Sequence, residues 1–331
     1  MSEKKDNKSL SVLIILISVL ALVYFGYQAA SETNKRDTQN PFEYNIDNFK
    51  KTDSLLITYS ESKQIPINYT DYFGISINEK DEIFVAVDEK IIVLDLEGKL
   101  KKEIKLSEPA YCLESDKNGL IFAGMADHIE IINENGSVTS KWESLGSKAI
   151  ITSVAVTDKF VYVADAGNLV VIQYDKQGKV VKEIGRKNES KDIQGFVIPS
   201  PYFDLDIDSE GNLWVVNPGR HQFENYNDNG DLRTTWGLAS MKTEGFSGCC
   251  NPSHFVILNN DYFVTSEKGI ERIKIYDFHG RLTEVVATPD DFVEGTVDLD
   301  LAIDSENSIY VLDQEKKAVR VFKKINKTEN E

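Results

Sequence analysis

The stretch "GFSGCCNPSH", residues 245–254, sets Cys249 and Cys250 side by side, follows them with Asn251 and a proline, and places His254 two residues beyond that proline. Two thiols and an imidazole in one short loop suit three chemistries: metal ligation, thiol redox chemistry, or a structural cross-link. Zinc sites usually separate their thiolates by roughly two to four residues, so that both sulfurs reach one ion from a turn, and adjacent cysteines lack that reach. Consecutive Cα atoms lie about 3.8 Å apart, below the roughly 4.4 Å usual minimum for a disulfide, so a vicinal Cys249–Cys250 bond is expected to be strained and readily reduced.

Two further segments carry groups that bind ligands. "NPGRH" (217–221) contributes Arg220 and His221, and "SEKGIER" (266–272) contributes Glu267, Lys268 and Arg272. The candidate ligand-binding set is therefore Arg220, His221, Cys249, Cys250, Asn251, His254, Glu267, Lys268 and Arg272. His221, His254 and Glu267 are the candidate metal ligands. Each has a plain alternative: the arginines as solvated or paired charges, His221 as an exposed strand residue, His254 as packing between elements. Asp204, Asp206, Asp300 and Asp304 read as structural punctuation. There is no G-x-S-x-G, H-E-x-x-H, C-x-x-C-H or phosphate-binding glycine loop, so no catalytic residue is assigned and no cofactor is expected, a metal ion being the one alternative.

The elements that must position these residues are strands. Short apolar runs end in an acidic or amide residue followed by glycine: "LDLEGKL" (Gly98), "IINENGS" (Gly136), "IQYDKQGKV" (Gly178), "NYNDNGD" (Gly230) and "IYDFHGR" (Gly280). Such turns need the positive φ that glycine supplies. A second hairpin precedes each, as in "SVAVTDKFVYVAD" and "FDLDIDSEGNLWVVN". The glycines recur at intervals of 38, 42, 52 and 50 residues, the period of a propeller blade. The expected fold is all-β: six four-stranded antiparallel blades over residues 50–324, near 70–106, 110–143, 149–186, 200–238, 251–288 and 297–323. Residues 53–61 are expected to close the last blade and remove the open edge.

"VAVTDKFVYVADAGNLVVIQYDKQGKVVKEIG" (154–185) and "FDLDIDSEGNLWVVNPGRHQFENYNDNGDLRTTWG" (203–237) resemble NHL repeats, the units of six-bladed propellers. More narrowly, "PSPYFDLDID", "GFSGCCNPSH" and "TSEKGIERIKIYD" are similar to a group of bacterial membrane-associated or exported NHL-type propellers. The resemblance implies the fold and no particular activity. In such a fold the insertions 186–201 and 238–252 and the turns at 217–221 and 266–272 emerge on one face, which gathers the candidate residues at the channel mouth.

Composition bounds the partners. Fifty-four Asp and Glu against 37 Lys and Arg give a net charge of −17, which repels nucleic acid. Three cysteines, Cys112, Cys249 and Cys250, build no disulfide framework. The uncharged run from Leu10 to Ala30 is about as long as one membrane span. Lys4, Lys5 and Lys8 before it favour a cytoplasmic N-terminus (1–9) and an extracytoplasmic propeller, periplasmic or extracellular, joined by a linker (31–49) and ending in a polar tail (325–331). A cleaved signal peptide with a secreted product is the alternative. The reading is a membrane-anchored binding, sensing or interaction module for a small molecule or partner protein, with Arg220, Lys268 and Arg272 favouring an anionic group. A redox- or metal-dependent enzyme using Cys249, Cys250 and His254 is the alternative, and an assembly scaffold the third.

Overall fold

The computed structural model describes residues 8–33, 46–191 and 193–325, so most of the expected N-terminal segment, linker and polar tail lie outside the described residues. The chain divides into two units, Met1–Asn45 and Ile46–Glu331. In the first, Lys8–Thr33 is a helix. Among the described residues no helix is long and apolar enough to cross a membrane.

The second unit is a ring of six four-stranded antiparallel sheets. Blades one to five occupy 72–105, 112–141, 151–184, 205–237 and 254–287, each with its strands in chain order from the axis outward. Blade six takes its three inner strands from 300–324 and its outermost strand, Tyr59–Pro66, from the start of the unit. That strand pairs with Ala318–Lys324. The expected closing segment 53–61 overlaps it only at its end, because Ser54–Leu56 turns as a 3-10 helix with the Asp53 side chain accepting the Leu55 N–H.

Each blade grades from buried to wet. The second strands, such as Ile83–Val87, Leu213–Asn217 and Ile309–Asp313, are buried throughout, whereas the outer strand Val138–Lys141 is exposed throughout. Apolar side chains of neighbouring blades form shared cores: Ile75, Val85 and Ile92 of blade one pack with Tyr310, Leu312 and Val319 of blade six. This burial supplies most of the driving force for closing the ring. The outer hairpins are set locally. Asp95 accepts from the N–H groups of Glu97 and Lys99 at 3.0 and 2.8 Å while Gly98 takes φ +83, and Asp175 does the same with Gln177 and Lys179 around Gly178. An acid followed by glycine is therefore a self-contained turn.

Candidate functional site at the channel mouth

The innermost strands touch one another in a closed cycle around the axis. Their exits are marked by turns whose first N–H belongs to Asn78, Asp116, Thr157, Asp208, Leu258 and Asp304. Four residues upstream of each lies one position per blade: Gly74, Cys112, Ser153, Asp204, His254 and Asp300. These form one tier. Its side chains clamp the next blade: Asp204 Oδ2 accepts the N–H of Phe255, Asp300 Oδ2 that of Ile75 and Ser153 Oγ that of Leu205, at 2.9, 2.9 and 3.4 Å. The second oxygens of Asp204 and Asp300 accept from Leu205 and Leu301 on their own strands. The carboxylates are thus fixed by backbone donors before any ligand arrives. Gly74 is the counterpart of this packing, since a Cβ there would sit 3.3 Å from Tyr111 O and 3.4 Å from Asp300 Oδ2.

Half of the tier is charged and half is small. His254 stands between two carboxylates, with Nδ1 3.6 Å from Asp204 Oδ2 and 3.4 Å from Asp300 Oδ1. Its Nε2 bonds Asp298 Oδ1 at 2.8 Å, and Asp298 also accepts from Gln314 at 2.8 Å. Burial pulls the imidazole pKa down, but the nearby Asp204 carboxylate, the hydrogen bond to Asp298 and the charge of Asp300 outweigh it and hold His254 well above its ordinary value. Burial, relieved in part by His254 and reinforced by Asp204, raises Asp300 to about 6. Asp298 ends below its usual range because the His254 bond and charge overcome its burial. One tier deeper, Glu114, Asp206 and Ser76 line a channel segment of about 360 Å³ together with Ile77, Val156, Val256 and Ile303. Burial pushes the two carboxyls to about 8 and about 7.

Beside His254 the rim is aromatic and cationic. The Tyr202 ring meets His254 edge-on at 6.1 Å, and Lys268 Nζ lies 3.8 Å over the same ring while donating to Ser200 Oγ at 3.3 Å. Ser200 in turn donates to Cys250 Sγ at 2.9 Å. The two sulfurs of Cys249 and Cys250 are 3.3 Å apart and unbonded, far from the roughly 2.05 Å of a disulfide. In this structure the expected vicinal disulfide is a pair of free thiols. Cys250 is buried and its thiol pKa is pushed up chiefly by burial, which keeps it protonated and a poor nucleophile.

Of the sequence-derived candidates, His254, Lys268, Cys249 and Cys250 gather at this rim. Asn251 serves it structurally: its side chain donates to the Ser247 and Lys268 carbonyls at 2.7 and 2.9 Å and accepts the Lys268 N–H at 3.0 Å. His221, in the left-handed region at φ +55, bonds the Gly248 carbonyl at 2.6 Å and so pins the second insertion. Arg220 makes no ion pair or hydrogen bond through its side chain among the described residues; its charge acts on Tyr226. Glu267 and Arg272 leave the rim altogether. Both are 0% exposed, their side chains joined at 3.2 Å, with Lys274 Nζ 2.6 Å from the other Glu267 oxygen. Lys274 also donates to the carbonyls of Thr243 and Gly245, so the insertion folds over this triad and closes it from solvent. The metal set His221, His254 and Glu267 is therefore dispersed. The ligating atoms that do converge are those of Asp204, His254 and Asp300, all within 4.8 Å of one another. Asp298, Ser200 and Tyr202 were absent from the sequence-derived set.

No protein-family description matches the chain, and no curated protein matches it in sequence. Solved structures do match in fold. A streptogramin B lyase superposes with a TM-score of 0.58 at 12% identity, covering 81% of this chain and 98% of that one. A catalytically inactive histidine-to-alanine variant of virginiamycin B lyase from Staphylococcus aureus, with quinupristin, gives 0.52 at 15%, over 82% and 90%. The WD40 propeller domain of Doa1 gives 0.55 at 14%, over 78% and 81%. At such identities the likeness is one of fold.

Proposed function

We propose that the chain is an extracytoplasmic, membrane-anchored binding module of NHL type whose channel mouth receives a ligand presenting a cationic group. One observation carries the site: His254 held among Asp204, Asp298 and Asp300 at the mouth, opposite the small side chains of Gly74, Cys112 and Ser153. Three carboxylates against one imidazolium leave the cluster net negative. Arg272, one of the three cations expected to attract an anion, is neutralised in the buried triad. The anchor rests on the uncharged run Leu10–Ala30 and on the helix Lys8–Thr33, where Leu16, Leu20, Leu22, Val23 and Phe25 are each more than half exposed. Alkaline extraction of membranes tests the anchor: a chain released into the soluble fraction refutes it.

The site is tested by a thermal-shift screen of matched cationic and anionic small molecules and peptides against wild type, His254→Ala and Asp300→Asn. Stabilisation by cationic members that falls at least about tenfold in apparent affinity in Asp300→Asn, and is kept or tightened in His254→Ala, which removes the competing imidazolium, supports the reading, in line with the loss of a charge-assisted contact. Stabilisation confined to anions and abolished by Lys268→Ala overturns it.

A second reading, a metal-dependent enzyme, draws on the convergence of Asp204, His254 and Asp300. The inactive variant among the fold neighbours replaces a histidine by alanine, so a histidine matters to that protein. The two readings separate on whether a divalent ion alone occupies the mouth with 1:1 stoichiometry.

A further inference from the structure

We propose a second divalent-cation site of zinc type, on the rim of blade two, built from His128 Nε2, the Glu130 carboxylate and Glu108, with Asp127 as the positioning residue. Glu130 lies on the third strand of blade two and His128 in the turn before it, and Glu130 pairs across the sheet with Ala123. Both side chains are more than nine-tenths buried. Yet His128 Nε2 and Glu130 Oε2 have no hydrogen-bond partner, a costly state for buried polar groups.

The distances say what is missing. Nε2 is 3.6 Å from Glu130 Oε1 and 3.8 Å from Glu108 Oε1, too long for hydrogen bonds. Two ligands of one tetrahedral zinc, each about 2.0 to 2.1 Å from the ion, lie roughly 3.3 Å apart, so His128 Nε2 and Glu130 Oε1 need shift only a few tenths of an ångström to share one, while Glu108, on a side chain 42% exposed, swings in as the third ligand. Asp127 Oδ1 takes the other ring nitrogen, Nδ1, at 2.7 Å, which leaves Nε2 as the free lone pair. This is the carboxylate–histidine pairing that orients imidazole metal ligands. Asp127 is itself held by the Ser144 hydroxyl. Lys141 is the resident competitor: its Nζ sits 3.6 Å from Glu130 Oε1 and 3.9 Å from Glu108 Oε1, on a side chain 57% exposed and able to swing away. One imidazole with two carboxylates suits zinc or cobalt better than magnesium or calcium. The site shares no residue with the channel mouth and does not depend on the function proposed above.

The test is equilibrium dialysis of the full chain against Zn²⁺, with the visible absorption of Co²⁺ as a ligand-field readout. All measurements use the His254→Asn background, so that the mouth does not contribute. One equivalent is expected, falling at least about tenfold in affinity with His128→Asn or Glu130→Gln, and about 10- to 100-fold with Asp127→Asn. Lys141→Ala, a change at an exposed position that spares the fold, is expected to tighten binding severalfold. Absence of a stoichiometric ion in the background protein, or affinity indifferent to both Lys141→Ala and His128→Asn, overturns the proposal.

Discussion

Two charged clusters sit on neighbouring parts of the same propeller and have opposite fates. At the mouth, Asp204, His254, Asp298 and Asp300 come from blades four, five and six and keep a partly open side. Within blade five, Glu267, Arg272 and Lys274 are wholly buried, and the second insertion covers them. The difference lies in what anchors the charges. Asp204 and Asp300 are fixed by backbone N–H groups and would hold their places without His254, while Asp298 is held by His254 and the Gln314 side chain. The triad members are fixed largely by one another, so each is a condition for the other two. An open cluster on a rigid backbone can exchange a proton or a ligand cation. A closed one stabilises a loop and little else, and burial lowers the Lys274 pKa to about 8 despite Glu267.

The sharpest way to break this comparison is to remove Glu267. Glu267→Ala leaves Arg272 and Lys274 buried without a counter-charge and is expected to cost about 3 to 5 kcal/mol in urea unfolding. Asp300→Asn, which keeps an acceptor for Ile75, is expected to cost no more than about 1 to 2 kcal/mol. Equal losses would mean that the mouth is as structural as the triad. Next in size is pH. A raised histidine pKa means the folded chain holds that proton more tightly, so the stability His254 contributes is present below its unfolded value and fades as pH rises through the folded one. A cation that displaces the proton should therefore bind more tightly as pH increases above neutrality, followed by calorimetry, and Asp298→Asn should flatten that dependence.

Smaller again is the channel. Glu114 is raised from 4.5 to about 8, so its ionised form is costly in the folded chain above that value, and the cost disappears as pH falls below the unfolded pKa. Glu114→Gln keeps the acceptor for Ser115 and Ser76 and should raise Tm at pH 9 by about 2 to 4 °C, with no gain near pH 4. Smallest is Arg220→Ala, expected within about 0.5 kcal/mol of wild type because its side chain forms no pair among the described residues.

The blades were legible because their signals are local: short apolar runs and acid-glycine turns that close on their own side chains. The closing strand was legible in kind but shifted in register, since "YSESKQIP" is mostly polar and only the partner strand fixes its pairing. The mouth was partly legible. Aligning "FDLDID", "SHFVIL" and "LDLAID" by their turns puts Asp204, His254 and Asp300 at one position of successive blades, which reading the aspartates as punctuation passed over. They are punctuation and site together, since the bonds that clamp the blades also aim the carboxylates. Asp298 lies in an irregular crossing, and nothing in linear spacing announces it. Glu267 and Arg272 were misplaced because a turn that should reach the rim is roofed by an insertion, and that roof exists only in three dimensions.

The most direct test of the central claim uses an oxygen-seeking cation as reporter: Tb³⁺ luminescence sensitised by nearby aromatic side chains such as Tyr202, recorded in the His128→Asn variant so that the mouth alone is read. The account predicts saturable emission that Asp300→Asn or Asp204→Asn abolishes and Arg220→Ala leaves intact. Emission unchanged by both aspartate substitutions would contradict it.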